Sequence, residues 1–244
     1  MKRVLFLSVI AIVSMFSLAG CEKNDDEPVN KSNIKPNGME NYHAYIEMGL
    51  SVKWATWNVG ADSPGDYGDY FAWGMTRINN SYNWRSYQYC IQGESDHLTR
   101  YCTKPEFGYN HNFDNDSILF SDDDVAHVKW GGAWRMPTNK EWQELLDNCK
   151  WEWCAKDNTE FGGIAGWKVT SNVEGYKDRF IFLPAAGYKS DSNTFEVSTC
   201  GYYWSSLLYT EIPTYANCLF FDSGKKKVST KSRHLGSSVR PVCP

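Results

Sequence analysis

Short apolar bursts separated by turn residues run through most of this chain, and a helical period appears once. Residues 45–48 and 52–55 alternate apolar with polar side chains on either side of Gly49, which predicts a hairpin. The stretch 65–69 is glycine- and aspartate-rich and leads into the apolar run 70–73, a further strand candidate. Trp151 and Trp153 alternate with polar neighbours, and residues 167–171, 180–183 and 201–204 carry further strand-length patterns. Residues 215–221 and 225–230 flank Asp222-Ser223-Gly224, the turn of a second predicted hairpin. A last strand is expected over 238–242, with Pro241 marking an edge or a strand end.

The helical period lies at about 139–149. Thr138 and Glu141 have the spacing of a capping box, in which each side chain satisfies an orphan backbone donor. Trp142, Leu145, Leu146 and Cys149 then fall on one face, leaving Lys140, Glu144 and Asp147 for solvent. Such a narrow stripe implies packing on one side, against a sheet. Residues 75–121 have weak periodicity and many Asn, Ser and Tyr, and read as a long, irregular, surface-exposed excursion. There is no repeat of 20–50 residues and no composition break after residue 42, so 42–244 is expected to form one α+β domain.

Composition narrows the function classes. The net charge of −4 supplies no electrostatic footprint for phosphates, so a nucleic-acid partner is not expected. A mean hydropathy of −0.53 with a single apolar run excludes a polytopic membrane protein. Aromatic residues make up 16% of the chain, enough to raise the question of what they bind.

That apolar run is an address. Lys2 and Arg3 precede an apolar stretch over 4–18, too short for a bilayer span, followed by Ala19, Gly20 and Cys21. Residues 1–20 read as a signal peptide, and Leu18-Ala19-Gly20-Cys21 looks like a bacterial lipobox that leaves Cys21 lipidated. The alternative is a plain signal peptide with a chance cysteine. The acidic segment 22–27 resembles the export signal that places Bacteroidetes lipoproteins on the outer face of the outer membrane. Residues 21–41 are then an acidic flexible tether.

Seven further cysteines follow, at Cys90, Cys102, Cys149, Cys154, Cys200, Cys218 and Cys243. No Cys-x-x-Cys spacing occurs, which argues against zinc-ribbon and thioredoxin chemistry. Export favours disulfides, and the pairs expected are Cys90 with Cys102, Cys200 with Cys218, and Cys149 with Cys243.

The second half carries a resemblance. Trp130-Gly131-Gly132-Ala133-Trp134-Arg135-Met136-Pro137-Thr138, running into Glu141-Trp142, is similar to a segment of formylglycine-generating-enzyme-like proteins. Leu50-Ser51-Val52-Lys53-Trp54-Ala55-Thr56 resembles the opening of the Fibrobacter succinogenes major paralogous domain. Leu183-Pro184-Ala185-Ala186-Gly187-Tyr188, Gly201-Tyr202-Tyr203-Trp204-Ser205-Ser206 and Ser238-Val239-Arg240-Pro241-Val242 resemble it too. The match is collinear over roughly 45–244, and it implies a C-type-lectin-like fold.

The resemblance does not bring the enzyme's chemistry with it. Formylglycine-generating enzymes use closely spaced cysteines near the C-terminus, whereas residues 219–240 contain none. Ser205, His234 and an aspartate could be written as a triad, but no nucleophile-elbow glycines support it. Asp122, Asp123 and Asp124 lack the ligand spacing of a calcium loop and better suit a helix N-terminus. No catalytic residue, metal site or cofactor is therefore expected.

What remains is binding. In C-type-lectin-like folds the ligand surface lies on long loops and late strands, here residues 209–234. The candidates are Tyr209, Glu211, Tyr215, Asn217, Lys231, Arg233 and His234, with Tyr82, Trp84, Tyr87 and Tyr89 of the excursion as further off-pattern aromatics. Trp54, Trp142 and Trp204 belong to patterned segments and are expected in the core. The leading expectation is a surface-displayed lipoprotein that binds a glycan or a protein without turnover. A divergent formylglycine-generating-type enzyme and a structural envelope protein are the alternatives.

Overall fold

The computed structural model describes residues 34–244. The signal peptide, the lipidation site Cys21 and most of the tether lie outside the described residues. The domain is α+β, with every named strand pair antiparallel.

The two ends of the domain meet in one sheet. Strands β1 (Gly38–Glu40), β2 (His43–Ile46) and β3 (Lys53–Ala55) are joined at the far edge by the last strand of the chain, Val242–Cys243. Helix α1 (Val125–Trp130) is capped by Asp124, and α2 (Asn139–Asn148) opens with the capping box of Thr138 and Glu141. After α2 come β4 (Cys149–Cys154), β5 (Gly166–Ser171) and β6 (Phe180–Pro184), a three-stranded sheet. A small hairpin, β7 (Tyr188–Ser190) and β8 (Asn193–Phe195), follows. The central sheet is β9 (Gly201–Leu208), β10 (Tyr215–Phe221) and β11 (Lys226–Ser232), with β10 in the middle. The chain closes with β12 (Val242–Cys243), which starts directly after Pro241 because proline has no N–H for the ladder.

Two large apolar clusters fill the interior, with a small third one of Cys154, Phe161 and Phe182. One lies around α2, where Trp54, Trp142, Tyr203, Leu219 and Val242 pack together, with Leu145 from the predicted stripe among them. The other holds Trp73, Tyr87, Tyr101, Trp134 and Trp204. Trp54, Trp142 and Trp204 are all fully buried, as their patterned surroundings imply.

Three expectations need correction. The excursion 75–121 is irregular and much of it is exposed, but it is anchored in the core by aromatics expected at the surface. Tyr82, Tyr87, Tyr89 and Tyr101 are buried, and each places its ring in the core while its hydroxyl reaches a fixed acceptor. Tyr82 and Tyr87 donate to the carbonyls of Tyr70 and Trp73, at 2.5 and 2.7 Å. Tyr89 and Tyr101 both donate to the carboxylate of Asp123, at 2.5 Å. A tyrosine is apolar in body and polar at its tip, so bends can bury it without any helical or strand period. Residues 70–73 likewise form only an isolated bridge, Phe71 to Ser237, in place of a strand.

The third correction concerns the cysteines. All seven described ones are free thiols, and none of the three expected pairs forms. In the central sheet Gly201 faces Phe221, so Cys200 lies at the level of Asp222, four residues along β10 from Cys218. At about 3.3 Å per residue that is far beyond the reach of a disulfide. Cys149 belongs to the cluster around α2 and Cys243 to the other cluster. Cys90 and Cys102 direct their sulfurs at different carbonyls, Glu94 and Lys104.

Candidate functional site

The structure scatters the predicted binding set. Arg233 is fully buried and spends its guanidinium on Tyr87 Oη and on the carbonyls of Arg100, Tyr101 and Pro213, all at 2.6–3.0 Å. Asn217 donates from its amide to the carbonyls of Leu207 and Leu208, bracing the irregular register between β9 and β10. His234 packs at a tilt against Trp84 with its Nδ1 2.8 Å from Ser232 Oγ, and burial pushes its pKa down to about 4. Lys231 lies between two tyrosine rings. None of these four is a free recognition group. Tyr209, Glu211 and Tyr215 do meet, in the tight turn between β9 and β10, where the Tyr209 and Ile212 carbonyls and amides close the loop. Tyr215 and Glu211 are exposed there, and Glu211 makes only a 3.5 Å surface pair with Lys104.

The aromatic richness is architectural. None of the eleven tryptophans is exposed, and five are fully buried. The excursion tyrosines are structural for the reasons given above. A triad on Ser205 is also absent: Ser205 is buried and accepts from the Leu207 amide, while His234 faces Ser232. Burial pushes the thiols of Cys218 and Cys243 up to about 12 and 11, so both are protonated at neutral pH. Among the described residues no three His, Cys, Asp or Glu side chains are arranged to hold a metal ion.

The better site is a groove of about 400 Å³ that the sequence did not point to. One wall is the extended segment 117–119. Leu119 N–H donates to the Ser206 carbonyl at 3.0 Å, and Leu208 N–H donates to the Ser117 carbonyl at 2.8 Å. This lays 117–119 along the outer edge of β9 as a short extra strand. His127 of α1, the Gly132–Arg135 turn and Thr138 form the other side, with Trp134 buried beneath.

The groove is rigid because its walls are pinned. Asp124 caps α1 through Oδ1, accepting from Ala126 N–H at 2.9 Å, and its Oδ2 accepts from Met136 N–H at 2.7 Å. One carboxylate thus ties α1 to the segment before α2, although burial pushes its pKa up. Gly131 and Gly132 both have positive φ, and a Cβ on Gly132 would lie 2.4 Å from Glu40 Oε1. Only glycines allow the turn to sit so close to the β1–β2 hairpin. Glu40 accepts there from Ala133 N–H, and its carbonyl accepts from Trp134 Nε1.

Arg135 completes the rim in a two-point pair with Glu141, at 2.9 and 2.5 Å. Burial alone would raise the Glu141 pKa, but Arg135 and the Thr138 backbone together hold it below the usual carboxylate range. The stabilisation is therefore complete above the ordinary carboxylate pKa and is lost as pH falls through the lower folded value. Glu141→Gln is expected to cost about 2 kcal/mol at pH 7, since bonds to a charged acceptor are lost. Urea titrations should show the gap to the wild type narrowing as pH falls from the ordinary carboxylate pKa toward the lower folded value; a gap that does not narrow at all on acidification would contradict the assignment.

The chain matches no protein-family model, no curated protein and no solved structure. The function must be read from the groove itself.

Proposed function

We propose that this chain is a non-catalytic binding module of C-type-lectin-like fold, displayed on the cell surface by a lipid on Cys21, and that it binds an extended polypeptide segment in the groove beside α1. The fold reading is supported by the collinear motifs and by the pairing of β3 with β12, which closes the domain on itself. The long irregular segment 75–121 fits the same reading.

One observation carries the choice of ligand. In 117–119 the first and last residues bond inward to β9, so the N–H and C=O of Ile118 point to the open side. Neither has a protein partner among the described residues, and the Ile118 side chain is 58% exposed at the groove wall. A free backbone edge beside a partly apolar groove is what β-strand addition uses: main-chain bonds supply affinity and side-chain pockets supply selectivity. Sugar recognition would instead want exposed ring faces, and the tryptophans are withdrawn into the interior.

The full chain in detergent, panned against a displayed random-peptide library, should enrich a family of sequences. Ile118→Pro removes the free N–H at an edge where the ladder does not use it, and should weaken the enriched peptides at least about tenfold, the equivalent of 1.4 kcal/mol. Tyr215→Ala, on the β9–β10 turn, should leave them unaffected. A glycan array that gives a sugar-competed hit, with no enriched peptide family, would overturn the polypeptide reading in favour of a glycan.

A further inference from the structure

Two opposite charges line one pocket and do not pair. The pocket, of about 310 Å³, shares no lining residue with the groove. Asp69 reaches it from the turn-rich loop, Ile78 and Asn79 from the start of the excursion, and Lys189 from β7. Among the described residues neither Asp69 nor Lys189 makes a side-chain hydrogen bond or an ion pair. Lys189 Nζ lies 5.2 Å from the centroid of the Tyr70 ring. A ring face favours the charged ammonium but satisfies its three N–H donors poorly. Asn79 donates its amide to the Ser86 carbonyl at 3.2 Å and to Met75 Sδ at 3.6 Å, which leaves its Oδ1 as a further acceptor without a partner.

The pocket is preformed. Tyr82 Oη accepts from Asn79 N–H at 3.2 Å while it donates to the Tyr70 carbonyl, and Tyr70 Oη donates to the Ala186 carbonyl at 2.6 Å. Lys189 exchanges both of its backbone bonds with Gly236, at 2.8 and 2.9 Å. Asp69 N–H donates to the Val59 carbonyl at 2.9 Å, and its side chain packs on Gly60, where a Cβ would lie 2.4 Å from Asp69 Cγ. The φ of Gly60 is +79°, so its conformation and the space beside it both call for glycine. The position of the Asp69 carboxylate is therefore built into the loop.

We propose that this pocket binds a free α-amino acid as its zwitterion. The ligand ammonium donates to the Asp69 carboxylate and to Asn79 Oδ1, and the ligand carboxylate accepts from Lys189 Nζ. These bonds are charge-assisted, and they offset the cost of holding two half-buried charges without partners. Ile78, 59% exposed at the rim, offers contact to an apolar ligand side chain. The volume lies at the small end of ligand pockets, which suits one amino acid. A neutral sugar would leave both charges without a counterion.

The test uses the full chain in detergent at pH 7 and ligand-observed saturation-transfer NMR with L-leucine as the probe. Leucine should bind saturably. Leucinamide lacks the carboxylate and N-acetyl-leucine lacks the ammonium, and each should bind at least about tenfold more weakly. Asp69→Asn and Lys189→Gln should each weaken leucine by a similar factor, with urea midpoints showing that the variants are folded. Lys227→Gln, which removes a lysine outside the pocket, should bind as the wild type does. No saturable binding of leucine to the folded wild type up to about 10 mM would overturn the proposal. So would equal binding of leucine and either blocked analogue, a result that needs no variant to fold. Peptide enrichment at the groove is a separate readout, and its success or failure leaves this one unchanged.

Discussion

Arg240→Met is expected to be the most damaging single substitution in the domain, at about 3–5 kcal/mol. Arg240 is fully buried, and no carboxylate among the described residues balances it. It donates instead to Asn58 Oδ1 at 2.9 Å, to the Phe182 carbonyl at 2.8 Å and to the Ala55 and Thr56 carbonyls at 3.3 and 3.5 Å. These acceptors belong to β3, to the loop after it and to β6, so one side chain joins two of the sheets. Methionine matches the length but leaves four acceptors without a donor inside the protein. Since a domain's whole stability is about 5–15 kcal/mol, the variant should populate unfolded chain under mild urea. Chemical denaturation measures this directly; a midpoint within error of the wild type would show that the carbonyls find other donors.

Arg233→Met is expected to have the second largest effect, and one of a different kind. Arg233 binds Tyr87, Arg100 and Tyr101 of the excursion, together with Pro213, while its guanidinium lies over the Trp73 and Tyr87 rings. Its loss should release the excursion first, because the sheets have their own ladders and the excursion has few. The expected cost is about 3 kcal/mol. Limited proteolysis should then cut within 75–121 while the central sheet stays protected. Uniform loss of protection across the domain would mean that the excursion and the sheets unfold as one unit.

These two arginines show where sequence reasoning stops. Arg233 stands in a polar run of Lys, Ser and His, and those polar neighbours make it look like a recognition residue. Its burial is decided by three segments that arrive from 87, 100–101 and 213, and no local spacing encodes that convergence. The same holds for the tyrosines of 82–101. A strand or a helix repeats its buried face at a fixed interval, so its core residues are visible in one dimension; a bent segment has no interval. The groove went unseen for a related reason. Ile118 looks like one apolar residue in a polar stretch until 117–119 is laid against β9. The two hairpins, the capping box and the stripe on α2 were legible because each depends on neighbours within a few residues.

The sequence by itself determined the local elements of this protein: the capped helix, the paired strands around Gly49 and Asp222-Ser223-Gly224, the break at Pro241 and the α+β class. Each follows from hydrogen bonding and side-chain period over a handful of positions. Only the tertiary structure decided which polar and aromatic side chains are internal, that the cysteines remain thiols, and where a free backbone edge meets an open groove. Those properties depend on distances between residues far apart in the chain, and burial, reach and charge are set by what folding brings to within a few ångströms.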